Sequence, residues 1–187
     1  MNRHTISVLV ENKPGVLARI SGLFSARGYN IDSLAVGETD DPDVSRMTII
    51  VRGDERVLEQ VTKQLAKLVD VIKVIDFVGM PHIERDLALV KMKTTPQTRI
   101  EIMQIAEVFR AKVVDISKGT LTLELTGPEE KIQALVDLVK PFGIKEVVRT
   151  GVIAMARGSH LAAERAHEDA SQAADMESPE DVASPPA

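Results

Sequence analysis

The short, largely apolar run His4-Thr5-Ile6-Ser7-Val8-Leu9-Val10 reads as a strand. Val16, Leu17, Ile20, Leu23 and Phe24 then fall at helical spacing, which predicts a helix from about Pro14. Arg27-Gly28 ends it, the glycine being free to take the left-handed conformation. Ile31 to Val36 reads as a second strand, Thr39-Asp40-Asp41-Pro42-Asp43 as a turn and Met47 to Val51 as a third strand. Asp54 is placed to cap a helix bearing Val57, Leu58, Val61, Leu65 and Leu68, and Val71 to Ile75 is a fourth strand. The order is βαββαβ, a ferredoxin-like module.

The same order recurs after a joint at Val78-Gly79-Met80-Pro81-His82. Asp86 to Lys93 is strand-like, and Ile102, Ile105, Ala106 and Phe109 mark a helix. Val113 to Ile116 and Leu121 to Leu125 flank Lys118-Gly119 as a strand pair. A helix with Ile132, Leu135, Val136 and Val139 on one face follows Gly127-Pro128, and Val147 to Met155 supplies one last strand. The expected fold class is therefore α+β: two tandem ferredoxin-like βαββαβ modules over residues 1–78 and 83–157. Residues 158–187 shift to Ala, Glu, Asp, Ser and Pro and are expected to be a disordered acidic tail, with a short helix possible at about 160–174.

One loop combines chemistry with position. Glu11-Asn12-Lys13-Pro14-Gly15 joins the first strand to the first helix, so it sits where free backbone N–H groups and the positive helix end meet. Pro14 presets φ and lacks an N–H, and Gly15 lets a ligand approach the backbone closely. Asn12 can bind an ammonium or a carboxylate. Asn30, just past the helix end, is a second amide with no evident packing role. The place suits an amino acid or similar small acid. The competing reading is a capped helix start in which Pro14-Gly15 serves geometry alone. A single ferredoxin-like subunit does not force the two asparagines together; they can meet across a dimer interface.

Composition narrows the function classes. The 187 residues are 44% hydrophobic, enough for a sizeable core. The absence of cysteine excludes disulfides, thiolate metal sites and cysteine nucleophiles. No apolar run reaches the ~18 residues of a membrane span, and Met-Asn-Arg-His lacks a signal-peptide pattern, so a cytoplasmic protein is expected. The net charge of −5 is uneven: seven acids and only Arg165 among the bases give −6 from Gly158 onward, leaving a body of +1. Neither part carries the basic stripe that nucleic-acid binding needs.

Other candidates carry less. Asp40, Asp41 and Asp43 read as a solvated hairpin turn rather than calcium ligands, since nothing nearby completes a hard-oxygen set. His4, His82, His160 and His167 are scattered and read as surface histidines, so no metal ligands and no catalytic residues are assigned. No GxxxxGK[ST] loop is present. Gly22, inside the first helix, reads as a close-packing point, and the methionines as core filler.

Three motifs now converge: Glu11-Asn12-Lys13-Pro14-Gly15-Val16-Leu17, Phe24-Ser25-Ala26-Arg27-Gly28-Tyr29-Asn30-Ile31, and Thr39-Asp40-Asp41-Pro42 through Ser45-Arg46-Met47-Thr48. They closely resemble the small, regulatory subunit of acetolactate (acetohydroxyacid) synthase. Gln64 to Val74, Glu84 to Lys91 and Arg149-Thr150-Gly151-Val152 extend the resemblance over about residues 3–158. The resemblance implies an N-terminal ACT domain that dimerises and binds a branched-chain amino acid, usually valine, at the dimer interface. By residue, it implies ligand contacts at Asn12, Gly15, Val16 and Leu17 of one subunit and Asn30 and Ile31 of the other. It implies a large catalytic subunit as partner; thiamine diphosphate, magnesium and FAD would belong to that subunit, with no cofactor in this chain. The acidic tail departs from shorter members of the family.

Competing functions are weaker. A phosphatase on this topology would want an arginine in the first loop, which offers Lys13 and no clear nucleophile. RNA binding needs aromatics on the central strands, and the first module's first and third strands have none. A free-standing ACT-domain sensor acting on another enzyme is the alternative, separable by copurification.

Overall fold

The computed structural model describes residues 2–158, so the tail beyond Gly158, with His160, His167 and the helix considered at 160–174, lies outside the described residues. In the first half, β1 (Asn2–Glu11), α1 (Val16–Ala26), β2 (Ile31–Glu38), β3 (Val44–Gly53), α2 (Glu55–Leu65) and β4 (Val71–Asp76) follow the expected order. They build an antiparallel sheet of order β2-β3-β1-β4. Its register sets Ile6 opposite Ile49 and Val8 opposite Met47. The two-residue period therefore stacks the apolar side chains of both central strands on one face. Val16, Ile20, Leu23 and Phe24 of α1 and Val61 and Leu65 of α2 close over them in one buried core.

The second half repeats the plan with a second core. β5 (His82–Lys93), α3 (Pro96–Phe109), β6 (Lys112–Ile116), β7 (Thr120–Gly127), α4 (Glu129–Val139) and β8 (Ile144–Arg149) give the order β6-β7-β5-β8. Ala88, Val90 and Met92 of β5 and Leu121, Leu123 and Leu125 of β7 are buried beneath Ile102, Ala106, Ile132, Leu135 and Val139. Thr95 caps α3, its hydroxyl accepting from Thr98 N–H while the Thr98 hydroxyl returns to Thr95 N–H.

The single last strand expected over Val147 to Met155 is two strands. β8 ends at Arg149, Thr150-Gly151-Val152 breaks the run, and β9 (Ile153–Ala156) pairs separately with His82–Arg85 at the start of β5. The physical reason lies at Gly151, whose φ of +85° belongs to the left-handed region that glycine alone enters freely. β5 is correspondingly longer than expected. Its first four residues pair with β9, and the rest pair with β7 and β8.

This β5–β9 arm covers the face of the first sheet that the helices leave open. Thr5, Ser7 and Thr48 point to that face and are nevertheless buried. Each half of the chain supplies partners: the Thr5 hydroxyl donates to Glu84 Oε1 at 2.5 Å, and Arg3 meets Glu84 at 3.1 Å and Glu129 at 2.9 Å. Arg46 donates to the Ser7 hydroxyl at 3.0 Å. Burial alone would push the Glu84 carboxyl up, but the Thr5 hydroxyl, the Arg3 charge and the His82 hydrogen bond together hold it below the usual carboxylate range.

Three smaller expectations are corrected. His4 is only 4% exposed, with Nε2 3.2 Å from the Gly53 carbonyl, because β1 is central and its alternate positions face the core. His82 is half-buried and stacks on Phe77 with centroids 4.8 Å apart. Gly22 is exposed with open space where a Cβ would stand; Leu23 and Phe24 are the positions that face the core. Met47 and Met92 fill the cores, whereas Met103 and Met155 are exposed.

Candidate functional site

The loop from β1 to α1 is tied down from two directions and braced within itself. Glu11 N–H donates to the Asp70 carbonyl at 2.9 Å, and Asn12 N–H donates to the Asp43 carbonyl at 2.7 Å. Lys13 Nζ lies 2.9 Å from Glu11 Oε2, a contact that raises the lysine pKa first by hydrogen bonding and then by charge. The helix begins later than expected. Pro14 lies in the turn, and Gly15 caps α1 with φ +87° and no side-chain hydrogen bond. Gly15 is thus required by the backbone conformation itself. Its Leu17 and Ala18 neighbours carry N–H groups with no acceptor among the described residues, as the first turn of any helix does.

Asn12 is exposed and both hydrogens of its amide are used: Nδ2 donates to Glu38 Oε1 at 3.2 Å and to the Pro42 carbonyl at 2.9 Å. Its Oδ1 remains as an acceptor. Val16 is buried in the first core, whereas Leu17 is 44% exposed and projects from the start of α1. The apolar pair therefore divides: the Val16 side chain packs in the core and the Leu17 side chain is exposed.

Asn30 and Ile31 stand at the other end of α1, after Gly28 at φ +69°. Asn30 Nδ2 donates to Asp32 Oδ1 at 2.8 Å, and Ile31 packs half-buried against the first core. Arg52 also donates to Asp32, and this hydrogen bond, more than the Asn30 one, holds the Asp32 carboxyl below its usual range against a smaller opposing effect of burial. The 11 residues of α1 span roughly 16 Å. One chain thus brings Asn12, Gly15, Val16 and Leu17 together and Asn30 and Ile31 together, but keeps the two groups apart.

Sequence reasoning missed Arg19. Its Nε and Nη2 make a bidentate pair with the Asp70 carboxylate, both at 2.7 Å, and a Cβ on Gly15 would lie 3.5 Å from Nη1. A guanidinium therefore stands beside the loop, its charge paired with Asp70 and its Nη1 turned towards Gly15. Its helical spacing from Gly15 was visible in the sequence; the pairing with a residue 51 positions away was not. Asp40, Asp41 and Asp43 form the expected solvated turn, with Asp41 Oδ1 accepting Asp43 N–H at 2.9 Å. Among the described residues, no three His, Cys, Asp or Glu side chains gather to hold a metal.

The AHAS small subunit-like ACT domain family matches residues 6–73, and the family described as the small subunit of acetolactate synthase matches residues 85–158. The acetolactate synthase small subunit of Aquifex aeolicus is 53% identical over 158 residues, covering 84% of this chain and 82% of that protein. That of Mycolicibacterium smegmatis is 52% identical over 155 residues, covering 83% and 92%. Among solved structures, the acetolactate synthase small subunit from Thermotoga maritima superposes with a TM-score of 0.78 at 40% identity, covering 84% of this chain and 98% of that one.

Proposed function

Since this chain belongs to the family of acetolactate synthase small subunits, we propose that it is a non-catalytic regulatory subunit. It activates a large catalytic subunit and conveys feedback inhibition by a branched-chain amino acid, valine foremost. In this reading residues 1–78 are an amino-acid-binding ACT domain, residues 83–157 are a second domain and residues 158–187 are a tail. The protein works in the cytoplasm. Thiamine diphosphate, magnesium and FAD reside in the large subunit.

The observation that carries the ligand site is the separation of two half-sites along α1. Asn12, Gly15, Val16 and Leu17 sit at its start, and Asn30 and Ile31 sit beyond its end. A homodimer with a twofold axis across α1 brings the start of one helix to the end of the other, because such an interface is self-complementary. The Leu17 and Ala18 N–H groups and the Arg19 Nη1 donor then suit the ligand carboxylate. The two asparagines suit its polar groups, and Leu17 and Ile31 suit its aliphatic side chain.

The test is acetolactate formation by the large subunit, with and without this chain, across a valine titration. The chain alone is expected to be inactive, to raise the large-subunit rate on addition, and to make that rate valine-sensitive. Pyruvate condensation by the pure chain, or an unchanged large-subunit rate at saturating chain, overturns the reading.

A further inference from the structure

Both candidate ligand amides are engaged with the same strand. Asn12 Nδ2 donates to Glu38 at the end of β2, and Asn30 Nδ2 donates to Asp32 near its beginning. A ligand carboxylate that takes the Asn12 amide must displace one of its two acceptors. The contact to Glu38 is the longer one, 3.2 Å against 2.9 Å to Pro42, and Glu38 carries the like charge that a carboxylate repels.

Like β1 through Arg3 and Thr5, β2 also touches the second half of the chain. The Ser33 hydroxyl accepts Val152 N–H at 3.0 Å. Gly151 packs so closely that a Cβ there would lie 2.9 Å from Ser33 Oγ and 3.3 Å from the Leu34 carbonyl. The same Thr150-Gly151-Val152 turn is anchored on its other side. Thr150 Oγ1 donates to Asp86 Oδ1 at 3.1 Å and accepts Leu87 N–H at 3.2 Å. The register of β2 on β3 shifts between Ile31 and Ser33, which places a β-bulge between the Asn30 end and the Ser33 contact. A cavity of about 320 Å³, bounded by Asp32, Ser33, Arg149 and Gly151 among others, lies alongside.

We infer that β2 is the coupling strand: amino-acid occupancy at Asn12 and Asn30 is relayed through Glu38 and Asp32 to Ser33, and from Ser33 to the Gly151-Val152 turn and the β5–β9 arm. This rests on the proposed ligand site. Ser33 and Glu38 are positioning residues in the relay, and they act through the strand.

The experiment is amide hydrogen exchange on the full-length chain with and without saturating valine, alongside titration calorimetry and inhibition of the complex reconstituted with the large subunit. In the wild type, valine is expected to change exchange over residues 150–156. Ser33→Ala is expected to bind valine within about threefold of wild type yet lose that exchange change, and to need at least about tenfold more valine for half-inhibition, a typical size for coupling between sites. Glu38→Gln, which keeps the acceptor and removes the charge, is expected to bind valine several-fold more tightly, an outcome that a purely structural role would not produce. If wild type binds no valine, the proposed site falls and the relay with it. Valine binding with unchanged exchange over 150–156, or an unchanged inhibition midpoint in folded Ser33→Ala, overturns the relay alone.

Discussion

Asp86 and Arg149 form an ion pair across the base of the β5–β9 arm: Arg149 Nε and Nη2 reach Asp86 Oδ2 at 2.6 and 2.5 Å, Asp86 is 2% exposed, and the Arg149 side chain is one-third exposed. The Thr150 hydroxyl satisfies the other carboxylate oxygen. Removing one partner of such a pair leaves a buried charge uncompensated. Arg149→Met should therefore cost about 1–3 kcal/mol of stability, the penalty of leaving the Asp86 carboxylate short of a partner. Asp86→Asn combined with Arg149→Met should recover part of that loss, because the stranded charge is gone. Urea denaturation of both variants checks this; equal stability of Arg149→Met and wild type would refute it.

Glu84 supplies the pH prediction. Its folded-state pKa is depressed by the net effect of the Thr5 hydroxyl, Arg3 and His82, which outweighs its burial. The sign follows: the stability it contributes is present above the ordinary carboxylate pKa of about 4.3 and is lost as the pH falls through the lower folded value. The stability difference between wild type and Glu84→Gln should be largest near neutrality and should shrink in acid. Denaturant titrations at about pH 7 and about pH 3.5 measure it. A gap that widens toward acid pH contradicts the assignment.

The asparagines test the ligand site directly. Asn12→Ala and Asn30→Ala each remove a polar partner from a charged ligand, a loss of roughly 1.5–3 kcal/mol or about tenfold to hundredfold in affinity. Activation of the large subunit should survive in both. Wild-type valine affinity in both variants, measured by titration calorimetry, would mean that the pocket is elsewhere.

Deleting the chain after Gly158 should leave thermal melting and valine inhibition largely intact. Both cores are complete within the described residues, and the deleted segment offers few large apolar side chains beyond Leu161, Met176 and Val182. Its acidic excess is expected to bias only association with basic surfaces, an effect that weakens with salt. Loss of cooperative melting or of valine sensitivity on truncation would show the tail to be structural.

Period-two and period-3.6 patterns are local, and so were legible from the chain alone. Ile6-Val8-Val10 and Ile20-Leu23-Phe24 face inward in the structure because each side chain's direction follows from its position in its own element. The repeated βαββαβ order followed from those elements, as did the placement of the Asn12 loop at a helix start. Gly151 stood in the sequence as a mark of the break between β8 and β9, but the apolar residues on both sides disguised two strands as one. Partnerships formed across the fold were decided only by tertiary structure. Arg19 chooses Asp70, Arg149 chooses Asp86, and Thr5 is buried against Glu84, through distances that no spacing along the chain encodes. The burial of the polar Ser7 and Thr48 has the same origin. A side chain's own strand sets which face it joins, but what covers that face depends on how the two halves pack. Here it is the β5–β9 arm, arriving from the far end of the described chain, that covers the polar face of the first sheet.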